Sequence, residues 1–123
     1  MPIRGIRGAT VAAADTPDAI GRATQELLRA LVEANGLDPA DIASLIFTTT
    51  PDLTAAHPAQ AARELGWTEA AILCVNEMAV ADGLAQCIRV LIHWNTGKRQ
   101  EDVRHVYLYA AARLRPDRAA PRL

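Results

Sequence analysis

Arginines set inside apolar, strand-like segments are the residues of this chain best suited to chemistry. Arg7 lies in Ile3-Arg4-Gly5-Ile6-Arg7-Gly8-Ala9-Thr10-Val11, and Arg89 in Cys87-Ile88-Arg89-Val90-Leu91-Ile92. The segment Arg104-His105-Val106-Tyr107-Leu108-Tyr109 adds a phenol, and Arg115 follows it closely. An ionised guanidinium near a core is costly unless it is paired and hydrogen-bonded. Acidic residues in these strands are few, so the pattern predicts that a ligand supplies the missing anions. The expected ligand is small and doubly negative.

The elements that must position these side chains are legible in outline. Residues 3–13 read as a first strand. Thr16-Pro17-Asp18 supplies an N-cap, a first-turn proline and an early acid. Ile20, Leu27, Leu28, Leu31 and Val32 then recur at helical spacing up to an Asn35-Gly36 stop. Residues 42–50 predict a second strand ending in hydroxyls, Pro58 to Leu65 a short helix stopped by Gly66, and residues 70–75 a third strand. A turn or short helix over 77–85 leads to a fourth strand over 87–95, a charged loop and a fifth strand over 104–113. In the fourth strand Ile88, Val90, Ile92 and Trp94 share an apolar face, opposite Cys87, Arg89, Leu91 and His93. In the fifth, Tyr107 alternates with Val106 and Leu108. The apolar face should pack under the helices. The mixed face, with Arg89 and Tyr107, predicts an oligomer with sites at its interfaces.

Bulk properties narrow the function classes. The chain has 123 residues, half of them hydrophobic, which fits one globular domain and argues against disorder. Thirteen basic residues stand against 14 acidic ones, so no global field points to nucleic acid or to an anionic membrane. No segment approaches the roughly 20 apolar residues of a bilayer span, and the start of the chain lacks the apolar run of a signal peptide. Cys74 and Cys87 are too few and too far apart for a disulfide framework or a zinc site. His57, His93 and His105 lack metal-ligand spacing and read as structural or peripheral. Gly5 and Gly8 open no helix and make no phosphate loop. Asp52 reads as a turn cap beside Pro51. The expectation is a reduced, cytoplasmic protein with a single domain over residues 1–115 and a polar tail over 116–123.

Six segments carry a family resemblance: Arg4-Gly5-Ile6-Arg7-Gly8-Ala9-Thr10, Thr50-Pro51-Asp52-Leu53, Cys74-Val75-Asn76-Glu77-Met78, Cys87-Ile88-Arg89-Val90, Arg104-His105-Val106-Tyr107-Leu108 and Leu114-Arg115-Pro116-Asp117. In that order and over nearly the whole chain, they resemble the monofunctional bacterial chorismate mutases of the small trimeric α/β class. The resemblance implies an α/β fold of α+β character: a mixed five-stranded sheet with helices packed on one face, assembled as a trimeric pseudo-barrel. It implies rearrangement of chorismate to prephenate, on the branch toward phenylalanine and tyrosine, in clefts between subunits and without metal or organic cofactor. No partner beyond the homotrimer and the substrate is implied.

The resemblance also implies roles. Arg89 would donate to the ether oxygen, and Glu77 would lie near the ring and its hydroxyl. Arg7 and Tyr107 would bind substrate carboxylate, and the Cys74 backbone would contact the ring hydroxyl. Arg63 and Arg115 would close the site. Two residues depart from the family pattern near the expected cleft mouth: His57 stands where a bulky aromatic is common, and Gln60 where a lysine is. One residue fewer around Gly66-Trp67 makes the correspondence over 64–70 the loosest.

Taken alone, Arg7 reads as a surface or salt-bridged residue, Glu77 as a helix-start acid and Tyr107 as a core-edge tyrosine. Arg63 and Arg115 alone read as solvated, and the Cys74 thiol as a small buried hydrophobe. The matching segments around them favour the functional reading. Two other functions fit the same bulk features. One is an enamine or imine deaminase of similar architecture, which has no need of a Glu77–Arg89 pair. The other is a non-catalytic trimeric carboxylate-binding module, which would bind a prephenate-like diacid without turnover.

Overall fold

A computed structural model describes residues 1–114; Arg115 and the tail 116–123 lie outside them. Five strands form one mixed sheet: β1 (Ile3–Val11), β2 (Ile42–Thr49), β3 (Ala71–Asn76), β4 (Cys87–Asn95) and β5 (Val106–Tyr107). Their spatial order is β3-β2-β4-β1-β5. The central strand β4 runs antiparallel to both β1 and β2, while β3 and β5 add in parallel at the two edges. Two helices, α1 (Pro17–Asn35) and α2 (Pro58–Glu64), make the crossovers that parallel strands require.

The helix α1 has the ends that its sequence predicts. Thr16 accepts a hydrogen bond from the Ala19 N–H, and Gly36 sits at φ 64°, where its N–H reaches the Val32 carbonyl. Its stripe of Ile20, Leu27, Leu28 and Leu31 is fully buried. Those side chains meet Ile6, Leu45, Phe47, Ile88 and Ile92 from the sheet in one continuous core. The close approach has a specific cause at Gly8, where a Cβ would lie 2.9 Å from a Leu31 methyl and 3.1 Å from a Leu27 methyl.

The fifth strand is much shorter than the expected 104–113. Only Val106 and Tyr107 pair with β1; Tyr109 then takes φ 54°, and residues Tyr109–Leu114 wind into a 3-10 helix. The alanine run 110–112 has little strand preference. The turn has a benefit: it folds this segment over the helix-free face, where Ala9, Tyr107 and Ala111 form a second small core with Leu84, Ala112 and Leu114 against it. The stretch expected as a turn or short helix before β4 contains no helix; it is turns and irregular chain.

Two carboxylates fasten the loops. Asp52 accepts the Thr50 hydroxyl and the Gln86 N–H, while the Thr50 hydroxyl oxygen accepts the Cys87 N–H, so the turn after β2 and the start of β4 are tied together. Asp15 accepts the Thr54 N–H at 2.8 Å, the Thr54 hydroxyl at 2.8 Å and the Ala55 N–H at 3.0 Å. These bonds, those of Thr54 foremost, hold its carboxyl below the usual carboxylate value. A lowered folded-state value means stability that is complete above about pH 4 and is lost as pH falls through the folded value. Asp15→Ala should therefore lower the melting temperature at neutral pH, and its gap to the parent should close in acid. Thermal melts at a series of pH values measure both; a gap that stays constant would sink the assignment.

Candidate active site

The face of the sheet away from the helices carries the candidate residues in two rows. Cross-strand register puts Val75, Thr48, Arg89, Ala9 and Tyr107 side by side across all five strands. The adjacent row is Leu73, Ile46, Leu91 and Arg7. Because strand side chains alternate between faces, this register brings Arg7, Arg89 and Tyr107 together from three different strands. They line one cavity of about 330 Å³, with Glu77, Thr48 and Leu114. That volume suits a small organic acid.

Glu77 enters from just beyond β3. Its N–H donates to the Thr49 carbonyl, which extends the β2–β3 pairing by one step and aims the side chain back over the sheet. Its carboxylate accepts the Thr48 hydroxyl at 2.5 Å and lies 3.4 Å from Arg89 Nε. Thr48 thus fixes the acid, and the acid holds one side of the guanidinium. The guanidinium also bonds the Cys87 side chain, and of its five N–H donors some remain for another partner. Behind Arg89, burial pushes the Cys87 thiol up, and the adjacent guanidinium opposes that shift. Two cations, one anion and a phenol line the cavity, which leaves a net positive charge toward a dianion.

The guanidiniums are not embedded in a core, as their apolar sequence surroundings suggest. Arg7 is exposed, and the Arg89 side chain is 44% exposed in the single chain. Nor does Arg89 lack an acidic partner; Glu77 is brought to it by tertiary structure. What remains open is the sheet face around them, where Leu73 is 58% and Val75 41% exposed.

The other candidates lie elsewhere. Arg63 is exposed on α2, and the Cys74 thiol turns to the helix side of β3, packed against the main core. Burial raises that thiol, opposed by the Ala59 N–H and by the Arg63 charge. Arg63 and Cys74 are thus neighbours of one another and not of the Arg7–Glu77–Arg89–Tyr107 cavity. His57 and Gln60 line a separate groove between α1 and α2. Arg115 is outside the described residues, although Leu114 beside it lines the cavity. Sequence reasoning missed Thr48, marked in the sequence only as one of the hydroxyls that end β2 and placed opposite Arg89 by the strand register, and it read His105 only as structural or peripheral. No helix of the described residues is long and apolar enough to cross a membrane.

The chain is similar to known proteins over nearly its whole length. The family model for chorismate mutase type I matches residues 3–118. A chorismate mutase AroH of Thermus thermophilus is 51% identical over 116 residues, covering 94% of this chain and 95% of that protein. The chorismate mutase AroH of Bacillus subtilis strain 168 is 45% identical over 118 residues, covering 95% and 93%. A solved chorismate mutase structure from Clostridium thermocellum superposes with a TM-score of 0.85 at 51% identity, covering 87% of this chain and 96% of that one.

Proposed function

The chain belongs to the type I chorismate mutase family, and we propose that it works as a homotrimer whose catalytic clefts lie between subunits. Its reaction is the Claisen rearrangement of chorismate to prephenate, an isomerisation in which an ether carbon–oxygen bond breaks as a carbon–carbon bond forms. No nucleophile or proton transfer is needed. Catalysis then comes from holding a compact conformer and from charges fixed where charge separates in the transition state.

The observation that carries the mechanism is the Glu77–Arg89 pair beside Arg7 and Tyr107 in one cavity. Arg89 donates to the ether oxygen as negative charge grows there. Glu77 faces the ring, accepts its hydroxyl and favours the developing positive charge. A cation and an anion held 3.4 Å apart form a preorganised dipole that matches the transition state. Arg7 and Tyr107 bind a substrate carboxylate. Arg63 comes from the neighbouring subunit, since its own subunit holds it on α2 away from the cavity, and the Cys74 backbone contacts the ring hydroxyl. Arg115 closes the site from the tail. The open, partly apolar sheet face supports burial against another copy of the chain. The domain extends over residues 1–115, and a cytoplasmic setting fits a soluble biosynthetic enzyme.

The test is loss of the ultraviolet absorbance of chorismate with purified protein, and identification of prephenate as the product. Because no group in this scheme transfers a proton, kcat should stay nearly constant between about pH 6 and 9. A bell centred near neutrality in the chemical step would contradict it. Binding of prephenate by a folded oligomer without turnover of chorismate would instead favour the binding-module reading.

A further inference from the structure

The edge of β1 that carries Arg7 is closed by side chains rather than by a strand. The backbone groups of Gly5, Arg7 and Ala9 point away from β4. At Ala9 the partner is main chain, the Leu108 N–H donating to its carbonyl at 2.9 Å. The strand β5 is only two residues long and reaches no further than Gly8 and Ala9. At Arg7 the partner is the imidazole of His105, whose Nδ1 accepts the Arg7 N–H at 2.9 Å. At Gly5 it is the amide of Gln100, which accepts the Gly5 N–H at 3.1 Å and donates to the Gly5 carbonyl at 2.8 Å.

We propose that His105 is a positioning residue for Arg7, fixing the backbone of β1 beneath the guanidinium that binds the substrate carboxylate. This rests on the reading of Arg7 given above. The bond requires an unprotonated Nδ1, so the ring carries its proton on Nε2. His105 stands two residues before Tyr107, so one short segment sets both carboxylate-binding groups: Tyr107 by its own side chain, Arg7 through the ring. Leaving the Arg7 N–H without a partner would let that edge of β1 shift, and orientation of a bound carboxylate is sensitive to such displacement.

Kinetics of His105→Leu, His105→Asn and Arg7→Ala, beside the parent, test the proposal. Asparagine can place a carbonyl oxygen where Nδ1 now sits; leucine cannot. His105→Leu should raise KM roughly threefold to tenfold, the effect of one hydrogen bond, with kcat nearly unchanged, because the contact serves ground and transition states alike. His105→Asn should return KM to near the parent value. A purely structural role would lower the melting temperature without this KM pattern. A folded His105→Leu enzyme with the parent KM, or equal KM values for Leu and Asn, overturns the proposal. If the leucine variant does not fold, nitrogen NMR of the parent decides: an Nε2–H ring upholds it, and an Nδ1–H ring or an imidazolium at neutral pH overturns it. Arg7→Ala with an unchanged KM would overturn the reading of Arg7 itself, and the proposal with it. A raised KM there with no effect at His105 would overturn the proposal alone.

Discussion

Replacing Arg89 with alanine is expected to lower kcat for chorismate by roughly a hundred- to thousandfold, a loss of about 3–4 kcal/mol of transition-state stabilisation. In the proposed mechanism the contact matters most when charge has developed on the ether oxygen, so kcat and kcat/KM should fall together. The fold should survive. The Arg89 backbone keeps its pairing with Ala9 and Thr48, and its side chain lies on the face that α1 and α2 do not cover. Arg89→Lys should recover little, because an ammonium has no rigid fork with which to hold Glu77 and face the substrate at once. If the paired Glu77 and Arg89 act as a unit, the double alanine variant should cost clearly less than the sum of the two single losses. Steady-state kinetics on the four proteins, with melting temperatures alongside, measure all of this. An Arg89→Ala enzyme within about threefold of the parent in kcat would remove Arg89 from the centre of the mechanism.

The parts of this molecule that were legible in sequence are those fixed by local chemistry. Thr16, Pro17 and Gly36 bound α1 because caps and left-handed turns need particular residues at particular positions. The alternation of Ile88, Val90, Ile92 and Trp94 marks the buried face of β4 because the strand period is two. The length of β5 was not legible: Tyr109 adopts a positive φ that a tyrosine does not advertise, and the alanines after it favour neither state strongly. The partners of Glu77 were equally hidden. Thr48 and Arg89 reach it only through the β2–β4 register and the parallel placement of β3, which no local pattern encodes. His105 read as no more than structural or peripheral because its partner is a backbone N–H far away in sequence. The resemblance named Arg63 and Cys74 beside Arg7 and Arg89, but a set of residues does not say which subunit supplies each one.

That division yields the other large effect. Within one chain Arg89 lines the sheet-face cavity while Arg63 stands on α2 near Cys74. If one cleft needs both, they must come from two copies of the chain. Arg63→Ala and Arg89→Ala should then each be nearly inactive alone, yet regain activity when combined in one oligomer. In a cyclic trimer holding both variants, about one site in three receives Arg89 from the Arg63→Ala subunit and Arg63 from the Arg89→Ala subunit, and so has both intact. Co-expression with different affinity tags and sequential purification isolates such mixed oligomers, whose turnover of chorismate is then compared with either variant alone. Recovery to a sizeable fraction of the parent rate is the expected result, since no single subunit in the mixture carries both arginines. Mixed oligomers as inactive as their parents would place both arginines within one subunit's site, and the cleft between subunits would have to be abandoned.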